Sequence, residues 1–81
     1  MRLVREIANP DFKITIFSWN NRYLIKLEQG VLEQTFKIPV TDLPGDDDVN
    51  ELLDAEFLQQ ANGRFQEMGH SLYEARKRCG L

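Results

Sequence analysis

The sequence predicts an α+β domain: an antiparallel β-meander of three to four strands, followed by a C-terminal helical segment (a short helix, then a long one) packed on one face. Two observations predict this fold. Residues 12–38 alternate apolar and polar side chains around tight-turn residues, as paired strands do. In residues 47–79 the apolar side chains recur at the spacing of a helix. We assign residues 1–39 to the meander and 47–79 to the helical segment of a single domain.

The first hairpin is predicted from Asn20-Asn21, because asparagine tolerates the positive φ that a two-residue primed turn needs at both positions. Counting outward sets Trp19 opposite Arg22 and fixes the register of both strands. Side chains alternate along a strand, so the apolar ones collect on one side, which we call the first face. From these two strands it comprises Phe12, Ile14, Ile16, Tyr23, Ile25 and Leu27.

A second turn at Gln29-Gly30 extends the meander. It sets Leu27 opposite Leu32, whereas a three-residue loop would set Leu32 opposite the charged Glu28. Leu32, Phe36 and Ile38 join the first face in this register. Two opposite-charge pairs then meet across the strands on the other side, Lys13 with Glu28 and Lys26 with Glu33, and each stabilises the sheet by about 0.2–1 kcal/mol.

A further strand is predicted at the N-terminus, from Arg2 to Ile7. It is joined to the meander by residues 8–11, whose composition is typical of a turn. Pairing with the next strand would set Ile7 opposite Phe12. Pro39 ends the sheet.

The helical segment begins with Asp48 and Glu51, spaced as in a capping box, and Asp54 is predicted to be the N-cap of the long helix. An apolar stripe then predicts the sheet-facing side, and it comprises Phe57, Ala61, Phe65, Met68, Leu72, Ala75 and Cys79. At about 37 Å the long helix exceeds strands of about 26 Å. Either it bends, at Asn62-Gly63 or Gly69, or its end projects and packs on a second chain.

The other side of the sheet, the second face, is the candidate functional surface. It carries a cluster of large apolar side chains with a cationic rim, and its candidate interaction residues are Phe17, Trp19, Arg22, Leu24, Lys26 and Lys37. Exposed apolar patches of this kind mark association sites, so we expect a homodimer or an unknown protein partner. The alternative is that the first helix or the N-terminal segment folds over the patch as a second small core.

Charge and composition narrow the class of protein. The net charge is −3, divided into +2 for residues 1–40 and −5 for residues 41–81, which argues against a broad nucleic-acid-binding surface. The single cysteine excludes an internal disulfide framework and fits a reducing compartment. No apolar run is long enough for a membrane span and no signal peptide is evident, so we expect a cytoplasmic protein without membrane attachment.

Motifs for chemistry are incomplete. Asp46-Asp47-Asp48-Val49-Asn50 has the spacing that opens a calcium loop, but Glu51 stands where that loop needs glycine. Glu67 and His70 have a di-iron spacing but lie outside the apolar stripe. Cys79 is expected to be a small buried hydrophobe or a frayed thiol. We therefore predict no catalytic residues, metal or cofactor, and no enzyme activity.

Two resemblances add to this interpretation. A four-stranded meander followed by a helix resembles the repeat of the PUR family of single-strand nucleic-acid-binding proteins, in which the open face of the sheet binds bases; nucleic-acid binding is therefore the alternative function. The stretches Arg2–Pro10 and Ile16–Tyr23 resemble a family of small uncharacterised proteins from Bacteroidetes bacteria. That resemblance implies a cytoplasmic bacterial origin and no activity or ligand.

Overall fold

The computed structural model describes residues 1–81. One antiparallel sheet has the strand order β1-β2-β3-β4, with β1 Arg2–Ile7, β2 Lys13–Trp19, β3 Arg22–Gln29 and β4 Leu32–Pro39. A 3-10 turn, Val40–Asp42, leads to two helices, α1 Asp46–Leu52 and α2 Ala55–Cys79. The predicted α+β meander, followed by a short and then a long helix, is confirmed.

The first hairpin forms in the predicted register. Asn20 and Asn21 adopt φ values of 55° and 61°, and Trp19 pairs with Arg22. A two-residue turn with positive φ at both positions matches the right-handed twist of the strands that it joins. The pairing continues without interruption to Lys13 and Glu28.

The second hairpin turns one residue later than predicted, which shifts the pairing by two. Its turn is Gly30-Val31, so Leu27 lies opposite Gln34 and not Leu32. The first position of a primed turn needs positive φ, which Gly30 supplies at 59° and which Gln29 would adopt only with strain. A shift of two residues preserves the alternation, so each β4 side chain stays on its predicted face.

The β1 strand has the predicted bounds but not the predicted register. Ile7 lies opposite Ile14, not Phe12, because the loop before β2 is wider than a tight turn. Asn9 Oδ1 accepts a hydrogen bond of 2.9 Å from the Asp11 backbone N–H inside this loop. A bulge between Leu3 and Arg5 then interrupts the pairing with β2.

The two helices differ in how they begin. α1 starts at Asp46 after Gly45, with no side-chain cap, so the predicted Asp48 capping box is wrong. Asp54 caps α2 as predicted, because its Oδ1 accepts a hydrogen bond of 2.8 Å from the Phe57 backbone N–H. α2 continues unbroken for 25 residues through both predicted bend points. The molecule is correspondingly elongated, with extents of 47 × 26 × 19 Å.

Both helices pack on the first face. The buried core comprises Phe12, Ile14, Ile16, Tyr23, Ile25, Leu27, Val49, Ala61 and Phe65. Two ring pairs hold α2 to the sheet, Phe12 with Phe65 and Phe36 with Phe57, each with centroids 5.3 Å apart. Neither helix is long and apolar enough to cross a membrane.

One polar cluster joins α2 to β4 beside these rings. Gln34 lies on the first face, where its Nε2 donates to the Ala61 carbonyl at 2.9 Å and its Oε1 accepts from Arg64 Nε at 2.9 Å. The Arg64 guanidinium lies 5.9 Å from the ring centroids of Phe36 and Phe57. The polar groups of Gln34 are therefore satisfied, and α2 is fixed above β4.

Candidate interaction face

The second face carries no helix. The strand alternation places all six predicted interaction residues there, namely Phe17, Trp19, Arg22, Leu24, Lys26 and Lys37. The alternative in which the first helix covers this patch is wrong, because α1 packs on the first face through the fully buried Val49. Trp19 is 53% exposed, and Phe17 and Leu24 are half-buried only by their neighbours within the sheet.

An apolar row crosses three strands of this face. Leu3 in β1 pairs with Phe17 in β2, and Phe17 pairs with Leu24 in β3. We call these three residues the apolar row; Lys37 in β4 pairs with Leu24 and ends it. Met1 lines the same shallow depression as Phe17 and Leu24 while remaining largely exposed. The N-terminal segment thus borders the patch without covering it.

Leu3 was not predicted in this patch, and the bulge in β1 explains why. Simple alternation from Ile7 assigns Leu3 to the first face. The bulge between Leu3 and Arg5 shifts the pattern, so Leu3 lies opposite Phe17 and Val4 packs against the first-face core. Residues 2–7 contain no glycine and no other local feature that predicts a bulge.

The far end of the second face is charged. Lys13 lies opposite Glu28 as predicted, but Glu33 lies opposite Glu28 and not Lys26. The predicted attraction between Lys26 and Glu33 survives diagonally, with Lys26 Nζ 3.2 Å from Glu33 Oε1. Thr35 Oγ1 also donates to Glu33 at 3.0 Å. The face is therefore apolar and cationic towards the Asn20-Asn21 turn and mixed in charge towards the Gly30-Val31 turn.

Thr15 lies between these two ends. Its side chain is buried, and its hydroxyl has no hydrogen-bond partner within the chain. An unpaired buried hydroxyl costs about 1–3 kcal/mol.

Ionic contacts fix α1 on the opposite side of the sheet. The Tyr23 hydroxyl donates to Asp46 Oδ1 at 2.5 Å, while Arg2 lies 3.3 Å from Asp46 Oδ2 and Arg5 lies 3.4 Å from Asp47. The hydrogen bond from Tyr23, with the nearby positive charge of Arg2, holds the Asp46 pKa below its usual value. The same bond raises the pKa of Tyr23. These contacts link the start of α1 to β1 and β3, while burial of Val49 provides the main attachment of α1 to the first face.

The residues considered for chemistry do not converge. His70 Nε2 lies 3.9 Å from Glu74 Oε1, and both His70 and Glu67 are exposed on α2. Cys79 is exposed rather than buried. Asp46, which opens the calcium-like spacing, accepts from Tyr23 and Arg2. No group of three or more His, Cys, Asp or Glu side chains is placed to hold a metal ion.

Comparisons with known proteins add no assignment: no family model matches the chain, and neither a curated protein nor a solved structure is significantly similar to it. The geometry of the second face is therefore the basis for a functional proposal.

Proposed function

We propose that this chain is a non-catalytic, cytoplasmic interaction module that forms a homodimer through its second face. The observation that carries the proposal is the apolar row, Leu3, Phe17 and Leu24, with Trp19 beside it and no element packed over it. Tryptophan, phenylalanine and arginine are the residue types enriched at the centres of interfaces. The exposed thiol of Cys79 fits a reducing compartment.

The amount of exposed surface supports association. The chain exposes 5742 Å², whereas a compact monomer of 9.5 kDa exposes about 5050 Å². Its radius of gyration is 14.7 Å against about 11.7 Å for a compact domain of this length. The excess of about 700 Å² accompanies the elongation that the unbroken α2 produces, so it supports association in general and does not single out the second face.

The second face is also complementary to itself. A two-fold axis parallel to the strands, between β2 and β3, stacks β2 of one copy on β3 of the other. Each β2 residue then faces the residue that it already pairs with inside its own sheet. Phe17 meets Leu24 of the second copy, Trp19 meets its Arg22, and Lys13 meets its Glu28. The interface would then contain an apolar, a cation–π and an opposite-charge contact from these three pairs, at the aligned angle that two twisted sheets adopt.

Single-stranded nucleic acid is the second candidate for the same face, as in the PUR-like topology. The half-exposed Trp19 could stack on a base while Arg22 and Lys37 meet phosphates, a mechanism worth about 1–3 kcal/mol per stacked base. Against it, Lys26 is already paired with Glu33, and Glu28 adds further negative charge on this face. A homodimer accommodates these acidic side chains, and a polyanion does not.

Light scattering of the double variant Phe17→Ser/Trp19→Ala over a dilution series tests the proposal. We expect the dissociation constant to rise at least tenfold, because both side chains lie at the centre of the proposed interface. The helical circular dichroism should be unchanged, since neither side chain belongs to the first-face core. Val31→Ser is the matched control, because Val31 is 88% exposed in a turn outside the patch.

The outcomes separate the candidates. Unchanged molar mass in a folded double variant overturns the homodimer proposal, and loss of folding shows that the patch is core. Oligothymidine of about 15 nucleotides, added at increasing salt, is the nucleic-acid probe. Strong, salt-sensitive quenching of Trp19 fluorescence would favour the nucleic-acid function over the homodimer.

A further inference from the structure

A second apolar surface lies on α2, away from the sheet. Gly69 lies close to the start of β4, because a side chain added to it would meet Leu32 Cδ1 at 3.6 Å. Residues 70–79, which we call the overhang, continue the helix past the Gly30-Val31 turn. The apolar stripe continues with them: Leu72 is 41% exposed, and Cys79 is also exposed. The prediction that the whole stripe faces the sheet is therefore wrong for its second half.

A groove accompanies the overhang where the helix leaves the sheet. It has a volume of about 550 Å³ and is lined by Leu32, Glu67, Met68, Ser71, Leu72 and Ala75. Three aliphatic side chains and a thioether thus line one open depression, together with Glu67 and Ser71. Leu32 covers this part of α2 only in part, because Leu72 remains 41% exposed, so burial of the remaining apolar surface would stabilise the overhang.

The charges beside the stripe identify what covers it. Glu67 and Arg78 are 11 residues apart, which is about three helical turns, so both lie on the same flank of the stripe. Neither forms a salt bridge within the chain. Arg76, by contrast, is engaged, because its guanidinium donates to the Leu81 carbonyl at 3.0 and 2.8 Å.

We infer that the overhang pairs with the overhang of a second copy of this chain in antiparallel orientation. A two-fold axis between Leu72 and Tyr73 sets Glu67 opposite Arg78 of the second copy, and Arg78 opposite its Glu67. Leu72 packs on Leu72, and the Cys79 end of the second copy enters the groove beside Leu32. A parallel pair would instead set this flank of one helix against the opposite flank of the other, so Glu67 and Arg78 would not meet. This interface is distinct from the second face and does not depend on it.

Charge reversal tests the orientation. Light scattering of Arg78→Glu should show a dissociation constant for the overhang pair about tenfold higher, because two ion pairs become two repulsions. Glu67→Lys should weaken the pair similarly, and Glu67→Lys/Arg78→Glu should restore it to within about twofold. Lys77→Glu is the matched control, since it changes the same charge on the side of α2 away from the stripe. Equal effects of Arg78→Glu and Lys77→Glu, or no rescue, would overturn the antiparallel pair.

Leu72→Glu separates this inference from the proposed function. In the Phe17→Ser/Trp19→Ala background the overhang is the one proposed interface that is left intact. Adding Leu72→Glu should therefore convert the remaining dimer to monomer, with helical circular dichroism retained. In the wild-type background Leu72→Glu should leave the second-face dimer. A Phe17→Ser/Trp19→Ala variant that is already monomeric at millimolar concentration refutes the overhang pair and leaves the second-face proposal standing. If Leu72→Glu alone makes the protein monomeric while Phe17→Ser/Trp19→Ala stays dimeric, only the second-face proposal is refuted.

Discussion

Shortening one apolar side chain in each half of α2 tests how the helix is held. Phe65 is 1% exposed, and its ring centroid lies 5.3 Å from that of Phe12. Leu72 lies two turns further along the same stripe and is 41% exposed. We predict that Phe65→Ala lowers the free energy of unfolding of the single chain several times more than Leu72→Ala does.

The magnitudes follow from burial. Truncating a fully buried phenylalanine to alanine costs about 3–5 kcal/mol. Complete burial of a leucine contributes about 1.5–3 kcal/mol, so the partly exposed Leu72 should lose only about 1 kcal/mol. A chain of 81 residues is stable by about 4–12 kcal/mol in total. Phe65→Ala therefore removes a large part of the stability, and Leu72→Ala removes a small part.

Urea unfolding, followed by helical circular dichroism, measures both variants. The protein concentration must be low enough for the wild type to be monomeric, because association would add to the apparent stability. If Phe65→Ala does not fold, Phe65→Leu should still unfold measurably earlier than the wild type, with a cost of about 1 kcal/mol. Equal costs for Leu72→Ala and Phe65→Ala in the monomer would refute the reasoning, because the overhang would then be part of the core.

Two further predictions concern the sheet and its contact with α1. The Tyr23–Asp46 hydrogen bond lowers the Asp46 pKa below 3.8 and raises the Tyr23 pKa above 10.0, so its stabilisation is complete at neutral pH. This stabilisation is lost as the pH falls through the Asp46 pKa or rises through the Tyr23 pKa. The urea midpoint of Tyr23→Phe should therefore depend less steeply on pH than that of the wild type at both extremes. An identical pH dependence of the two midpoints would contradict this. Gly30→Ala should destabilise the chain by about 1 kcal/mol, because the φ of Gly30 is 59°. Gly63→Ala, in open space on α2, should stabilise the chain by up to about 1 kcal/mol. Thermal melts in which both variants shift the melting temperature in the same direction would contradict the turn assignment.

The sequence predicts which face each residue occupies better than it predicts which residues pair. Asn20-Asn21 determines the first hairpin because few other residues adopt positive φ twice in succession. At the second turn both Gln29-Gly30 and Gly30-Val31 preserve the alternation, and only the φ requirement at the first turn position separates them. The error of two residues therefore leaves Phe36 on the first face and Lys37 on the second.

Long-range features were less predictable. The Leu3 bulge arises from how β1 fits against β2, and no local pattern encodes it. The point at which α2 stops contacting the sheet depends on where Leu32 lies in the folded chain. The sequence does not mark this point, because the apolar spacing is uniform from Phe65 to Cys79. Helical periodicity identifies an apolar stripe but does not identify what covers it. The sequence thus predicts the second-face patch and the length of α2, and it gives a projecting helix end as one of two alternatives, but it does not predict where the packed part of α2 ends.

The two exposed surfaces have a joint consequence for assembly. The apolar row lies on the second face, and the overhang extends α2 from the first, so one neighbour in one orientation cannot cover both. Each proposed contact is isologous and is completed by one second copy. Two such contacts on one chain close into a tetramer if their two-fold axes meet at right angles and into a larger closed assembly if they meet at certain smaller angles; otherwise they continue as an open array. A molar mass that stops rising at four chains would indicate closure, and a mass that keeps rising with concentration would indicate that the overhang axis does not meet the second-face axis at a right angle.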